Sequence, residues 1–214
     1  MKSALVWAVS LVCLMAGPDT LLSQNKSDYF LKPVDEPIVA RSFIVGGPAR
    51  AISVGFPQGV HLCFDAESPR VAMAWSGDFL DIGPDRGYGR DRGGRHAIPL
   101  GDPFPVGDLG FPIRLGGELP SQIQFDGYRI RPDVTFYYSL NENIKVAQTI
   151  KPAAASNGLE YHFKIVGAEN AVSFHLNAAK VNFTCNKGQQ RGGYLLLSSD
   201  EATDFVVSVH PRKS

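Results

Sequence analysis

The sequence is short of net charge, of methionine, of cysteine and of long apolar runs. Its 21 acidic residues cancel its 21 lysines and arginines. Non-specific nucleic-acid binding draws on a basic excess that releases counterions from phosphate, and this balance argues against it. Past the first two dozen residues no stretch approaches the roughly 20 apolar residues of a membrane-spanning helix. Runs of Ala, Leu, Glu and Lys at helical spacing are missing, which turns the reading toward β structure. The motifs of covalent and cofactor chemistry are absent too: there is no G-x-S-x-G, no H-E-x-x-H, no C-x-x-C-H and no phosphate loop with its lysine. No cofactor and no metal is expected.

At the N-terminus one lysine, Lys2, precedes an apolar stretch from Ala4 to Ala16, and Gly17, Pro18 and Asp19 end it. That is the layout of a secretory signal peptide. Cys13 does not make a lipoprotein site, because Leu11 and Val12 stand where small residues are needed. The expected division is a signal peptide over 1–23, an N-terminal linker over 24–40 and one domain over 41–214. The mature chain is expected to be periplasmic or secreted, with no membrane insertion after processing. Cys63 and Cys185 survive that processing. An oxidising compartment permits a bridge between them, but Cys185 falls on the apolar side of its strand and Cys63 on a polar one, which weighs against it. Asn25-Lys26-Ser27 and Asn182-Phe183-Thr184 fit the glycosylation sequon.

From Arg41 onward polarity alternates with a period close to two. "FPQGVHLCF" turns through Pro57-Gln58-Gly59, and "LNENI" through Asn141-Glu142-Asn143. These are turn residues that tolerate left-handed backbone. In "GLEYHFKIV" Leu159, Tyr161, Phe163 and Ile165 share one side and Glu160, His162 and Lys164 the other. Such alternation, repeated every 8–12 residues or so, predicts an all-β fold, an antiparallel β-sandwich whose sheets each have one buried and one wetted face. Only Gly83 to Phe111 carries no alternation. It reads as one long Gly/Pro/Arg-rich loop, and loops beyond about 12–15 residues tend to be functional or disordered.

That loop and the strand before it supply the ligand-binding candidates: Trp75, Asp78, Asp81, Arg86, Arg90, Arg92 and Arg95. Guanidinium groups grip carboxylates and phosphates through paired hydrogen bonds, and glycines let backbone amides approach an anion. The plainer reading is a solvated loop tied down by ion pairs with Asp78, Asp81, Asp85 and Asp91. An aromatic ring beside carboxylates is a way to hold a sugar, yet Trp75 shares its side with Val71 and Met73, which fits a core ring. The histidines offer one coincidence. If "VGAENA" closes a hairpin, His162 faces His175, with Glu160 and Asn177 as extra donors. A metal normally takes three or four ligands, and an exposed imidazole pair is the simpler expectation.

Several stretches taken together, "RSFIVGGPARAISVGFPQGVHLCFDAE", "MAWSGDFLDIGP", "FDGYRIRPDVTFYYSLN" and "GLEYHFKIVGAENAVSFHL", resemble a β-rich module of large secreted proteins of planctomycetes and related bacteria. The matching positions are Ala51-Ile52, Phe64-Asp65-Ala66, Trp75 to Asp81, and Gly127-Tyr128-Arg129 ahead of Phe136 and Tyr138. In that family the module commonly accompanies a c-type cytochrome domain or a dehydrogenase-like propeller. The resemblance therefore implies a periplasmic redox protein as one partner. The haem-binding cysteines are absent here, and Pro132 sits earlier than the family pattern has its proline. The expected function is an exported, non-catalytic binding or accessory module that docks a protein partner or a glycan through the 83–111 loop. The alternative is a carbohydrate-active enzyme, glycoside hydrolase-like, using paired carboxylates near Trp75, drawn from Asp78, Asp81 and Asp65.

Overall fold

The computed structural model describes residues 29–87, 95–154 and 158–212. The expected signal peptide, the sequon at Asn25, Arg90 and Arg92 lie outside those residues. Strands dominate, and the single short helix among the described residues, α1 (Ser199–Ala202), is closed by a capping box between Ser198 and Glu201. Three antiparallel sheets pack together as an all-β sandwich. No helix among the described residues is long and apolar enough to cross a membrane.

The first sheet holds β1 (Phe30–Leu31), β2 (Ile38–Ala40), β3 (Ala51–Gly55), β4 (Val60–Asp65), β5 (Arg70–Asp81) and β6 (Ile98–Phe104), in the order β1-β5-β4-β3-β2 with β6 also paired to β5. After β7 (Ile113–Leu115), the strands β8 (Ile123–Arg129), β9 (Thr135–Leu140), β10 (Ile144–Pro152) and β11 (Leu159–Val166) begin the second sheet. β12 (Val172–His175), β13 (Val181–Cys185), β14 (Gln189–Arg191), β15 (Tyr194–Leu197) and β16 (Phe205–Pro211) complete the set. The second sheet runs β13-β16-β11-β10-β9-β8 and the third β14-β15-β12-β7.

The main core draws on all three sheets. Phe64 of β4 stacks on Phe136 of β9 at 3.8 Å, and Phe163 of β11 meets Phe174 of β12 at 5.2 Å. Each such ring taken out of water contributes about 1.5–3 kcal/mol before entropy is counted. Both sequence turns form as read. Gly59 has φ +72° in the β3–β4 turn, and Asn141 and Glu142 have φ +48° and +62° between β9 and β10. The alternation of β11 is one-sided burial, with Leu159, Tyr161, Phe163 and Ile165 inward.

Four expectations are corrected. The linker over 24–40 ends in sheet: Phe30 and Leu31 pair with Asp81 and Leu80, and Ile38–Ala40 pairs along β3. The 83–111 stretch is not one loop, because β6 pairs along β5 from Ala74–Phe104 to Asp81–Ile98. Pro99, Gly101 and Pro103 hide this strand from a propensity reading, but an edge strand tolerates residues that cannot donate to a ladder. Gly101 is needed for close approach, since a Cβ there would stand 2.1 Å from Ser76 O. "VGAENA" is not a hairpin: the chain crosses from the second sheet to the third. His162 therefore faces Thr149 and Val206, whereas His175 faces Tyr194.

The fourth correction bears most on function. The first sheet has no wetted outer face in β3 and β4, where every residue is buried. Ala51, Cys63, Trp75, Phe79 and Leu80 form a second core there with Ile44 and Ala97. A backbone clamp holds the cover in place: Val45 N donates to Ala97 O at 2.9 Å and Ala97 N to Phe43 O at 2.7 Å. Gly55 lets Phe79 lie flat on β3, because a Cβ would meet the ring at 2.7 Å. Cys63 is buried in this core and Cys185 is half-buried in β13, and both thiols are free.

Candidate functional site

On the covered face His61 and Asp65 are satisfied internally, whereas the Ser53 hydroxyl opposite Cys63 is buried with no hydrogen-bond partner among the described residues. His61 accepts from Phe56 N at Nδ1 (3.2 Å) and donates from Nε2 to Gly77 O (2.8 Å). Both nitrogens are thereby committed to the neutral ring, and burial lowers its pKa. Asp65 Oδ1 accepts from Glu67 N (2.9 Å) and its other oxygen pairs with Arg70, which also donates to Asp108 at 2.8 Å. Burial pushes the Cys63 thiol up to about 12, so it has little thiolate character at neutral pH.

The residues singled out by sequence scatter across this architecture. Trp75 is only 1% exposed, and its indole donates to Asp78 O at 3.1 Å and Phe79 O at 3.0 Å. Its ring stacks beside Phe79 and has no face to offer a ligand. Asp81 is buried, and Gly83 N donates to its Oδ1 at 2.8 Å. Asp78 is exposed near the end of β5 and borders a separate depression with Lys32, Val34 and Phe79. The carboxylates Asp65, Asp78 and Asp81 thus do not converge across one substrate. Arg86 and Arg95 are exposed on the two stems of the Gly/Arg excursion, with no ion pair to a described residue.

What does converge was not singled out by sequence. A cleft of about 680 Å³ opens where the cover of the first sheet meets edge strand β8 of the second. Arg41 and Phe43 reach it from the segment after β2, and Arg50 from the residue before β3. Glu67 comes from the β4–β5 turn and Asp85 from the first stem of the excursion, while Gln124 lies on β8. Ile52 and Phe125 add apolar lining. Phe43 is 55% exposed, and its ring meets His96 of the second stem edge-on at 5.7 Å. Arg41 and Arg50 are exposed and form no ion pair among the described residues. The volume falls inside the roughly 300–1,000 Å³ typical of small-ligand sites. No local spacing announces such a site, because its polar groups come from five separate chain segments.

Two further clusters have the residue types of catalysis without its geometry. Lys145 Nζ donates to Ser139 Oγ at 2.6 Å, and Ser139 in turn donates to Asp126. The serine oxygen is therefore held between an ammonium donor and a carboxylate acceptor, and the ammonium on its lone pair opposes nucleophilic attack. Ser173 Oγ lies 2.9 Å from His175 Nε2, with the imidazole stacked on Tyr194 at 5.1 Å. Burial and then the Arg114 charge lower the His175 pKa, which keeps the ring neutral. No described residue orients its Nδ1, so the relay that activates serine in a triad is incomplete. Among the described residues no group of three His, Cys, Asp or Glu side chains could hold a metal. Comparison with protein-family models, with curated proteins and with solved structures found no match to this chain.

Proposed function

We propose that the chain is an exported, non-catalytic binding or accessory module that docks a glycan or a protein partner at the cleft beside the Gly/Arg excursion. One observation carries the reading: the cleft joins two arginines free of described ion pairs, an exposed aromatic ring and apolar lining within one concave site. Concave, largely apolar sites with a few convergent polar groups are the usual form of ligand pockets. Both stems of the excursion border it, through Asp85 and through the Phe43–His96 contact, so a docked partner also meets the excursion. Export rests on the basic, apolar and helix-breaking order of the first two dozen residues. A redox protein as partner rests on the family resemblance alone.

A glycan-cleaving reading draws on a different observation, that Glu67 and Asp85 line the same cleft. Glycoside hydrolysis needs two carboxylates flanking the bond. One experiment separates the two readings. The purified chain is incubated with a panel of oligosaccharides, and both retention and release of new reducing ends are measured. Retention without new ends supports the module. New ends that vanish in Glu67→Gln support the enzyme, and retention unchanged in an Arg41→Ala, Arg50→Ala double variant contradicts both.

A further inference from the structure

We infer that the cleft takes a neutral, hydroxyl-rich saccharide and discriminates against acidic ones. This rests on the binding-module reading and adds the ligand's chemistry to it. The lining is charge-balanced, with Arg41 and Arg50 on one side of the account and Glu67 and Asp85 on the other. An anionic sugar seated in the cleft meets carboxylates as well as arginines in the lining. Like charges about 4 Å apart repel by roughly 1 kcal/mol in water and roughly 4 kcal/mol near a protein surface.

A vicinal diol uses the same lining fully. A hydroxyl both donates and accepts, whereas guanidinium only donates, carboxylate only accepts, and Gln124 does both. Each sugar hydroxyl can therefore give its proton to Glu67 or Asp85 while accepting from Arg41, Arg50 or Gln124. The exposed ring of Phe43 supplies apolar area for the C–H side of a pyranose, and its contact with His96 limits its freedom before binding. Arg86 and Arg95 stand outside the cleft lining, so among the described residues the lining carries no excess positive charge.

The test is calorimetric titration of the full chain with neutral tetrasaccharides and with their uronate counterparts. A neutral member should bind at least about tenfold more tightly than its uronate form, equivalent to roughly 1.4 kcal/mol. That affinity should change by less than about twofold between low and high salt, because no net charge is neutralised. Phe43→Ala should weaken the neutral ligand by about tenfold. Glu67→Gln keeps an acceptor but removes a charge, so it should weaken the neutral ligand modestly, strengthen the uronate, and narrow the neutral-over-acidic preference by about threefold or more. Tighter binding of the uronate, or steep salt dependence, overturns the inference and leaves the binding module standing. Binding by neither class also overturns it, and leaves the cleft to a protein partner. Saccharide binding indifferent to both Phe43→Ala and Arg50→Ala removes the site itself, and the module reading with it.

Discussion

Strands β4 and β11 carry the same alternation of polar and apolar residues, yet water reaches only one of them. In β11 the polar side is wet: Glu160 and His162 meet each other at 3.4 Å, and Lys164 is exposed 3.9 Å from Asp204. In β4 the polar side, His61, Cys63 and Asp65, is buried beneath Ile44, Ala97 and the rings of Trp75 and Phe79. The difference lies in satisfaction rather than composition. His61 and Asp65 find internal partners for their polar atoms, so covering those two leaves neither unpaired, and the Ser53 hydroxyl alongside is the one described exception on that face. Alternation reports that two faces of a strand differ in chemistry; it does not report that one of them is solvated. On the covered sheet the polar groups hold structure together, and the proposed binding site lies at the rim, where the cover meets β8.

The comparison is broken most forcefully at Trp75. Trp75→Ala should cost about 3–5 kcal/mol in urea unfolding, as a large core ring does, whereas Lys164→Ala on the wet face of β11 should stay within about 0.5 kcal/mol. Similar losses from the two would erase the distinction. Next comes Asp65. Its replacement by Ala strands the turn amides of Glu67 and Ser68 and one hydrogen bond of Arg70, for an expected loss of about 2–3 kcal/mol; Asn, which keeps an acceptor, should lose about half as much.

His61 gives a smaller effect with a definite sign. Its folded pKa lies below the ordinary 6.5, chiefly through burial. As pH falls below 6.5 the unfolded chain takes up the proton first. Stability is therefore whole above that value and declines toward the folded pKa. Melting temperature measured from pH 8 to pH 5 should fall, and His61→Gln should flatten part of the slope, the remainder including His175, whose pKa is also lowered. A slope untouched by the substitution would mean that His61 is not the buried neutral imidazole described. The smallest effect is expected at Tyr161, whose hydroxyl is buried with no hydrogen-bond partner among the described residues. Tyr161→Phe should be neutral or stabilising by up to about 1 kcal/mol in the same urea experiment.

Legibility in the sequence follows these physical lines. The strands around Leu159 to Ile165 and the turns at Gly59 and Asn141 were readable because local pattern and tertiary environment agree there. β6 was not, because Pro99, Gly101 and Pro103 mimic a loop while an edge position accommodates them. The crossing between β11 and β12 has the same local pattern as a hairpin, since Val166 and Ala171 flank turn-forming residues whether the chain folds back or changes sheets. The cleft was invisible. Arg41, Arg50, Glu67, Asp85 and Gln124 belong to five segments, and only the packing of one sheet's cover against another sheet's edge brings them together. Trp75 and Asp81 were attractive as site residues because aromatic-plus-acid is also the signature of a core ring beside a turn.

The central claim is that the covered face of the first sheet is structural and the cleft at its rim is the binding surface. Trp7 and Trp75 are the chain's two tryptophans, so in a Trp7→Phe variant the fluorescence reports Trp75 alone. Acrylamide quenching of that variant, with and without a neutral tetrasaccharide, tests the claim most directly. The account predicts blue-shifted emission, weak quenching and no change on adding sugar. Red-shifted emission, strong quenching and protection by the sugar would put Trp75 in the binding site and contradict it.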